Sequence, residues 1–297
     1  MKTRLISLLM FCASLSYSQG SSTGESSLRL PLTPSVAGTG EAFVADTTSL
    51  QSMRLNPANG AARTTYGVLF SHTAWIQDTR MDLLTVAAPF SFGALSFSAA
   101  NTAVDNIEVR QIPGPPIGTF SSESAFFQLT YAAEITSQFR IGIAPKYLYE
   151  KIYVDEATGF GVDAGAVYLS SIEGLTIGCS IADVGTQAAF RTQSSSLPST
   201  LHLGGTYSLP YEHGSIRIAL ADGMEWKSSV HHLSAGVEAS FRDVALVRFG
   251  YESGYDARGF SAGLGIRYGV ALIDYAYIPF RYELGNSHII SIELDLQ

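Results

Sequence analysis

From Thr65 to the end of the chain, apolar and polar side chains alternate at every second position in one segment after another, and few folds tolerate that pattern. The clearest stretch is Gly259 to Tyr268. Phe260, Ala262, Leu264, Ile266 and Tyr268 fall on one face, and Gly259, Ser261, Gly263, Gly265 and Arg267 on the other. A helical step of about 100° would mix the two sets, so the segment is a strand. Ile290, Ile292, Leu294 and Leu296 separate in the same way from Ser291, Glu293, Asp295 and Gln297. So do Leu233, Ala235, Val237, Ala239 and Phe241 from His232, Ser234, Gly236, Glu238 and Ser240.

Counting such segments predicts about fourteen strands, each near the ~10 residues that a tilted strand needs to cross a bilayer. They start near Thr65, Arg80, Gly93, Ser124, Phe139, Gly159, Leu175, Ser199, Ser215, Val230, Val244, Gly259, Val270 and His288. An even count sets the first and last strands antiparallel, so the sheet can close; an open edge in hydrocarbon would leave backbone groups unpaired. Composition says where the apolar faces go. Charged residues make up 15% of the chain, against roughly a quarter in soluble domains. Beyond the first twenty or so residues no apolar run is long enough for a spanning helix. The 16 Phe and 15 Tyr, against 2 Trp, suit both strands and the aromatic girdles of a membrane barrel. Short connections such as Phe241-Arg242-Asp243 and Tyr268-Gly269-Val270 alternate with longer ones expected at 102–122 and 185–198, as in outer-membrane barrels.

The N-terminal part reads differently. Lys2 and Arg4, the apolar run Leu5 to Leu15 and Ser16-Tyr17-Ser18 have the layout of a cleaved signal peptide, residues 1–18. Cys12 leaves with it, so Cys179 alone remains and no intramolecular disulfide is expected. Residues 19–62 then form an N-terminal plug or hatch segment, and 63–297 the transmembrane barrel. Pro31 and Pro34 argue against a central strand in the plug segment, and Asn56-Pro57-Ala58-Asn59-Gly60 is a dense turn signal.

No residue pattern points to catalysis, a cofactor or a metal. The net charge of -8 without a Lys/Arg cluster argues against nucleic acid. His231 and His232 point to opposite faces of a strand and cannot share a metal, and the other four His are scattered. Gly38-Thr39-Gly40 follows no strand and has no Lys nearby, so its glycines serve close packing rather than phosphate binding. Gly259-Phe260-Ser261-Ala262-Gly263 spells a nucleophile-elbow string, but the strand alternation runs straight through it. Arg140, Lys146, Glu150, Asp163, Arg217, Glu238, Arg248, Arg267, Asp274, Glu293 and Asp295 mostly fall on the inner face. They either line a polar conduit or pair with one another in a filled interior, and pairing is the favoured reading.

Val36 to Asp46, followed by Leu55-Asn56-Pro57-Ala58, resembles the N-terminal signature of the PorV/PorQ family, which belongs with the FadL-like outer-membrane barrels. The resemblance implies fourteen strands and an N-terminal segment folded into the barrel. Gly38, Gly40, Ala42, Phe43, Asp46, Asn56, Pro57 and Ala58 would be the structural residues of that plug. It further implies a non-catalytic role in type IX protein secretion or cell-surface attachment, with secretion-system proteins or secreted cargo as partners beside outer-membrane lipid. The alternative is a FadL-like channel for hydrophobic small molecules. That function predicts an apolar pocket near the plug and a lateral gap or kink in the wall.

Overall fold

The computed structural model describes residues 25–46, 49–110, 112–190 and 194–296. The expected signal peptide, the first residues of the expected plug segment and Gln297 lie outside them. Strands β1 (Tyr66–Ala74), β2 (Thr79–Phe90), β3 (Gly93–Val109), β4 (Gly118–Thr136), β5 (Phe139–Ile152), β6 (Asp155–Leu169) and β7 (Leu175–Gln187) pair in order, each antiparallel to the next. After the two-residue β8 (Ser195–Ser196), the order resumes with β9 (Thr200–Tyr211), β10 (Gly214–Glu225), β11 (His231–Phe241) and β12 (Ala245–Glu252). It ends with β13 (Phe260–Tyr268), β14 (Ala271–Pro279) and β15 (Asn286–Leu296). β7 pairs with β9, and β15 returns to β1 in a continuous register from Tyr66 opposite Leu296 to Ala74 opposite His288. Fourteen strands therefore close an antiparallel barrel, and β8 pairs only with the end of β7, outside that ring.

The alternation has a physical cause visible in the barrel wall. On β13, Phe260, Leu264 and Ile266 are exposed on the outside while Ser261 and Gly263 are buried within. An exposed apolar exterior around a buried polar interior is the arrangement that lipid stabilises and water does not. Tyr66, Phe90, Phe92, Phe139, Tyr168, Tyr211, Phe241 and Tyr268 form an exposed aromatic ring at the end carrying the short turns. Connections 188–199, 226–230, 253–259 and 280–285 lie at the opposite end.

Three expectations need correction. The long connection at 102–122 is mostly strand, because β3 continues to Val109 and β4 begins at Gly118. These strands have 17 and 19 residues. Their hairpin therefore passes the ~10 residues of a membrane span and projects roughly 20 Å beyond it. Likewise, β7 occupies the start of the expected 185–198 loop, and Ser195 and Ser196 pair back onto it. Finally, the Asn56–Gly60 signal opens a 3-10 helix, Pro57–Ala62, whose first turn is capped by the Asn56 side chain accepting from the Ala58 amide.

The described residues before β1 run through the inside of the barrel. They comprise 3-10 turns at Ser26–Arg29 and Leu50–Ser52, helix α1 (Pro34–Gly38) and the 3-10 helix just named. The path begins at the long-loop end, where Ser27 meets Ser124 of β4, and leaves at the short-turn end through Arg63 into β1. Leu28, Leu32, Leu50 and Met53 of this inner segment pack with Leu69, Met81, Leu83, Phe126 and Leu148 of the wall, forming the main apolar cluster.

Candidate functional site

Every residue of the expected plug motif lies in the lumen, in two groups. The first group sits in a trough of wall glycines. Pro34 occupies the first turn of α1, where its missing N–H costs nothing, and Gly38 ends the helix. A methyl group on Gly38 would stand 3.1 Å from the Cα of Gly263 on β13. Gly40 has φ +61°, and a methyl group on Gly250 of β12 would collide with its backbone nitrogen. Gly236 of β11 lies directly opposite Gly250 and leaves room for the Thr39 carbonyl and Ala42 in the same way. Ala42 and Phe43 are buried with Ala219, and the Arg217 guanidinium lies 4.6 Å from the Phe43 ring centre.

Asp46 closes this group electrostatically. Its carboxylate accepts from Arg217 at 2.7 Å, and Arg217 also donates to Glu238 at 2.9 Å. Glu238 accepts from Arg248 at 2.6 Å, Arg248 reaches Asp274 at 2.5 Å, and Asp274 accepts from the Gln51 amide. Gln51 in turn accepts from the Ser35 backbone at 2.8 Å. Charges on β10, β11, β12 and β14 are thus tied to the inner segment at Asp46 and Gln51. These four inner-face charges are paired with one another and with Asp46, and the conduit reading gives way to a filled interior over this half of the lumen.

Asn56, Pro57 and Ala58 form the second group, against the opposite wall. The Asn56 amide donates to the carbonyls of Val44 at 2.9 Å and Ala166 at 3.2 Å, so one side chain joins two stretches of the inner segment to β6. Pro57 lies over Gly142 of β5, and the Asn56 oxygen over Gly165 of β6. Ala58 is fully buried. These wall glycines are the functional partners that sequence reading misses. Their signal is present, as glycine recurring on the polar face of adjacent strands, but nothing local says what they face.

Two further features lie on the β6–β9 side. Lys146 of β5 has a fully buried side chain held by Asp163 at 2.7 Å and Asp183 at 2.5 Å. The β6–β7 register breaks there, between Val162 and Ala164. Asp183 adopts φ 57° and donates its backbone N–H to the Asp163 carboxylate instead of to a strand partner. Beside this break is a cavity of about 90 Å³ between the wall and the inner segment. Leu28, Leu30, Leu32, Val36, Leu55 and Ala182 give it apolar lining; Arg29, Arg54, His202 and Tyr255 are among its polar groups. Arg29 is paired with Glu225 at 2.7 Å, and the Tyr255 ring stacks on His232, another lining residue, with centres 3.9 Å apart. Closer to β4, burial chiefly pushes the Glu25 carboxyl up to about 7; the nearby Glu150 adds to the rise, and the Ser27 hydroxyl opposes it.

Ser261 sits inside β13, paired across to Gly250, with no strand-to-helix turn around it. His231 and His232 do point to opposite sides, one exposed and one buried.

A closed antiparallel wall of fourteen strands, apolar outside, polar within and threaded by an internal segment, defines an outer-membrane β-barrel. Among solved structures the chain is similar to the CymD monoaromatic hydrocarbon channel, at 10% identity over 90% of this chain and 98% of that one, with a TM-score of 0.60. It is similar to the toluene transporter TodX of Pseudomonas putida, at 9% identity over 87% and 95%, TM-score 0.58. A FadL homologue of Pseudomonas aeruginosa matches at 11% identity over 90% and 99%, TM-score 0.57. At these identities the likeness is one of fold, and the fold is that of the FadL-like channels. No protein-family model matches the sequence, and a search of curated proteins finds no match.

Proposed function

We propose that the protein is a FadL-like channel for small hydrophobic molecules in an outer membrane, and that residues 25–62 are its plug. One observation carries this reading: the partly apolar cavity beside the inner segment abuts the broken β6–β7 ladder, with Ala182 and Asp183 belonging to both. A hydrophobic molecule entering at the long-loop end would exchange water for Leu28, Leu30 and Leu32. It would then meet the interrupted β6–β7 ladder, beyond which lies lipid. At about 90 Å³ the cavity is well below the ~300 Å³ at which ligand sites for drug-sized molecules begin. It therefore takes a small apolar group or one end of a longer chain, and passage requires the Leu28–Leu32 stretch to move. CymD and TodX are named for monoaromatic hydrocarbons and toluene, which are compounds of suitable size.

The test is uptake. Cells whose own hydrophobic-substrate channel is deleted should take up labelled toluene or a long-chain fatty acid when this barrel is expressed. Leu32→Glu should cut that uptake about tenfold without lowering the amount of folded barrel. Uptake equal to the empty-vector control would end the channel reading.

A second reading rests on the N-terminal signature, Val36 to Asp46 with Leu55 to Ala58, and on the projecting β3–β4 hairpin, which offers a protein-sized surface outside the membrane. It makes the barrel a PorV/PorQ-like accessory of type IX secretion or surface attachment. Loss of cargo display on deletion, with toluene and fatty-acid uptake unchanged, would favour it.

A further inference from the structure

We propose that Glu25 and Glu150 share one proton, and that this proton latches the start of the inner segment to β5, a fastening that opens as pH rises. Three strands meet the segment here. Thr102 of β3 stands opposite Ser124 of β4, and Ser124 opposite Glu150 of β5. From inside, the Ser27 hydroxyl lies 3.1 Å from that of Ser124 and donates to one carboxylate oxygen of Glu25. The other oxygen of Glu25 is buried and meets no donor among the described residues. The Glu150 carboxyl, which accepts from the Gln187 amide at 2.5 Å, lies within hydrogen-bonding reach of Glu25. Ionised carboxylates only accept, so two of them attract each other only with a proton between them.

No other group in place offsets the charge. Each other buried carboxylate among the described residues is paired with an arginine or lysine, as Asp163 is with Lys146 and Asp274 with Arg248. Glu25, only 6% exposed, has no such partner among them. The cations of the neighbourhood are engaged elsewhere. Lys146 is held between Asp163 and Asp183, and Arg29 by Glu225. Arg54 donates to the Leu28 carbonyl and lies 5.0 Å from the centre of the Phe126 ring. Glu123 and Lys151 flank the row opposite each other, but on the exposed outer face. Thr102, Ser124 and Ser27 do not titrate. Leu28, Ala100, Phe126 and Leu148 surround the rest of the carboxyl, so an ionised Glu25 would be poorly solvated and a proton is the least costly remedy.

The direction of the pH effect follows from where the proton is held more tightly. In the fastened segment burial keeps the Glu25 carboxyl protonated up to about 7, whereas a released carboxyl in water ionises around its ordinary 4.5. Fastening is therefore strongest below 4.5, weakens as pH rises, and levels off above about 7. Across that window the ratio of fastened to released segment should fall on the order of a hundredfold. Leu28 and Arg29, just after the latch, line the larger cavity, so the latch decides whether its covering segment is held down. It is read on the segment itself and stands apart from the channel reading.

A nitroxide spin label on Ser26→Cys, in a Cys179→Ser background, tests this, because Ser26 is exposed beside the latch. Electron paramagnetic resonance spectra of the purified mature barrel are recorded from about pH 4 to about pH 9. The label should be ordered in acid, and a mobile component should grow with pH and level off above about 7. Glu25→Gln supplies a fixed amide N–H in place of the proton, so its label should stay ordered throughout. Glu25→Ala supplies none and should leave the label mobile at every pH. Glu150→Gln, which removes the facing charge and leaves Glu25 itself intact, should move the end of the transition down by about one pH unit or more. It keeps the test open should a Glu25 variant fail to fold. A wild-type spectrum that does not change with pH, a transition that survives in folded Glu25→Gln, an ordered label in Glu25→Ala, or an undisplaced transition in Glu150→Gln would overturn the proposal.

Discussion

Lys146 shows at the scale of one residue how this interior is held. Its ammonium has no contact with water and stands between two carboxylates, one of which also receives the Asp183 backbone N–H. Lys146→Met keeps the volume but leaves two buried negative charges facing each other. Removing one member of such a cluster costs about 3–5 kcal/mol. Guanidinium unfolding of the barrel in lipid vesicles should show that loss, and Lys146→Met with Asp163→Asn should recover part of it. A wild-type midpoint for Lys146→Met alone would mean that the cluster is not structural. Asn56 carries a comparable load through three bonds, to Val44, Ala166 and Ala58. Asn56→Ala strands two buried carbonyls and one amide, at about 1–3 kcal/mol for each group left unsatisfied. The loss should appear as protease cleavage between residues 25 and 62 while the barrel itself stays intact. Unchanged resistance would show that the inner segment does not depend on this side chain.

Elements were legible in the sequence to the extent that lipid sorts their residues. β13 and β15 were readable residue by residue because one face must be apolar along their whole length. The same logic explains the error at β3 and β4. Beyond the membrane both faces of a strand are wet, so the alternation fades near Asp105 and Ser122 even though the pairing continues to Val109 and Gly118. Register breaks compound this: a bulge between Val104 and Ile107, with Asn106 at φ 57°, exchanges the faces partway along. The inner segment was recognisable by its small residues and prolines, but its seat was not. Gly236, Gly250 and Gly263 gain their role from Thr39, Gly40 and Gly38, about 200 residues away in sequence. That dependence is testable in the wall rather than the segment. Gly250→Val puts side-chain atoms where the backbone of Thr39 and Gly40 runs, while β12 keeps a residue with good strand propensity. The barrel should still close, and the segment should become cleavable by added protease. A protected segment in a folded Gly250→Val barrel would show that the trough can yield.

For the whole molecule, the decisive quantity is how position along the barrel wall translates into depth in a membrane. The outward face of β10 carries Ile216, Ile218 and Leu220 and then Asp222, which pairs with outward-facing His231. On β1 and β2 the outward face turns polar at His72 and Asp82, bonded at 2.7 Å. The aromatic ring at the short-turn end marks the other boundary, and Tyr268, the most exposed of these residues, sits at its rim. Hydrocarbon therefore lies between two limits that can be located by charge. An arginine on the lipid face costs about 2–4 kcal/mol at the midplane and about 0–1 near the interface. Ile218→Arg and Leu264→Arg, in the middle of the belt, should lose the larger amount in equilibrium folding from guanidinium into vesicles, and Tyr268→Arg the smaller. An inward control checks that the lipid face, not any wall position, carries the penalty. Thr206 is buried and faces the lumen, so Thr206→Ser should be nearly neutral. Equal penalties at Ile218, Leu264 and Tyr268, or a barrel that folds in buffer without lipid or detergent, would show that the apolar exterior meets something other than a bilayer.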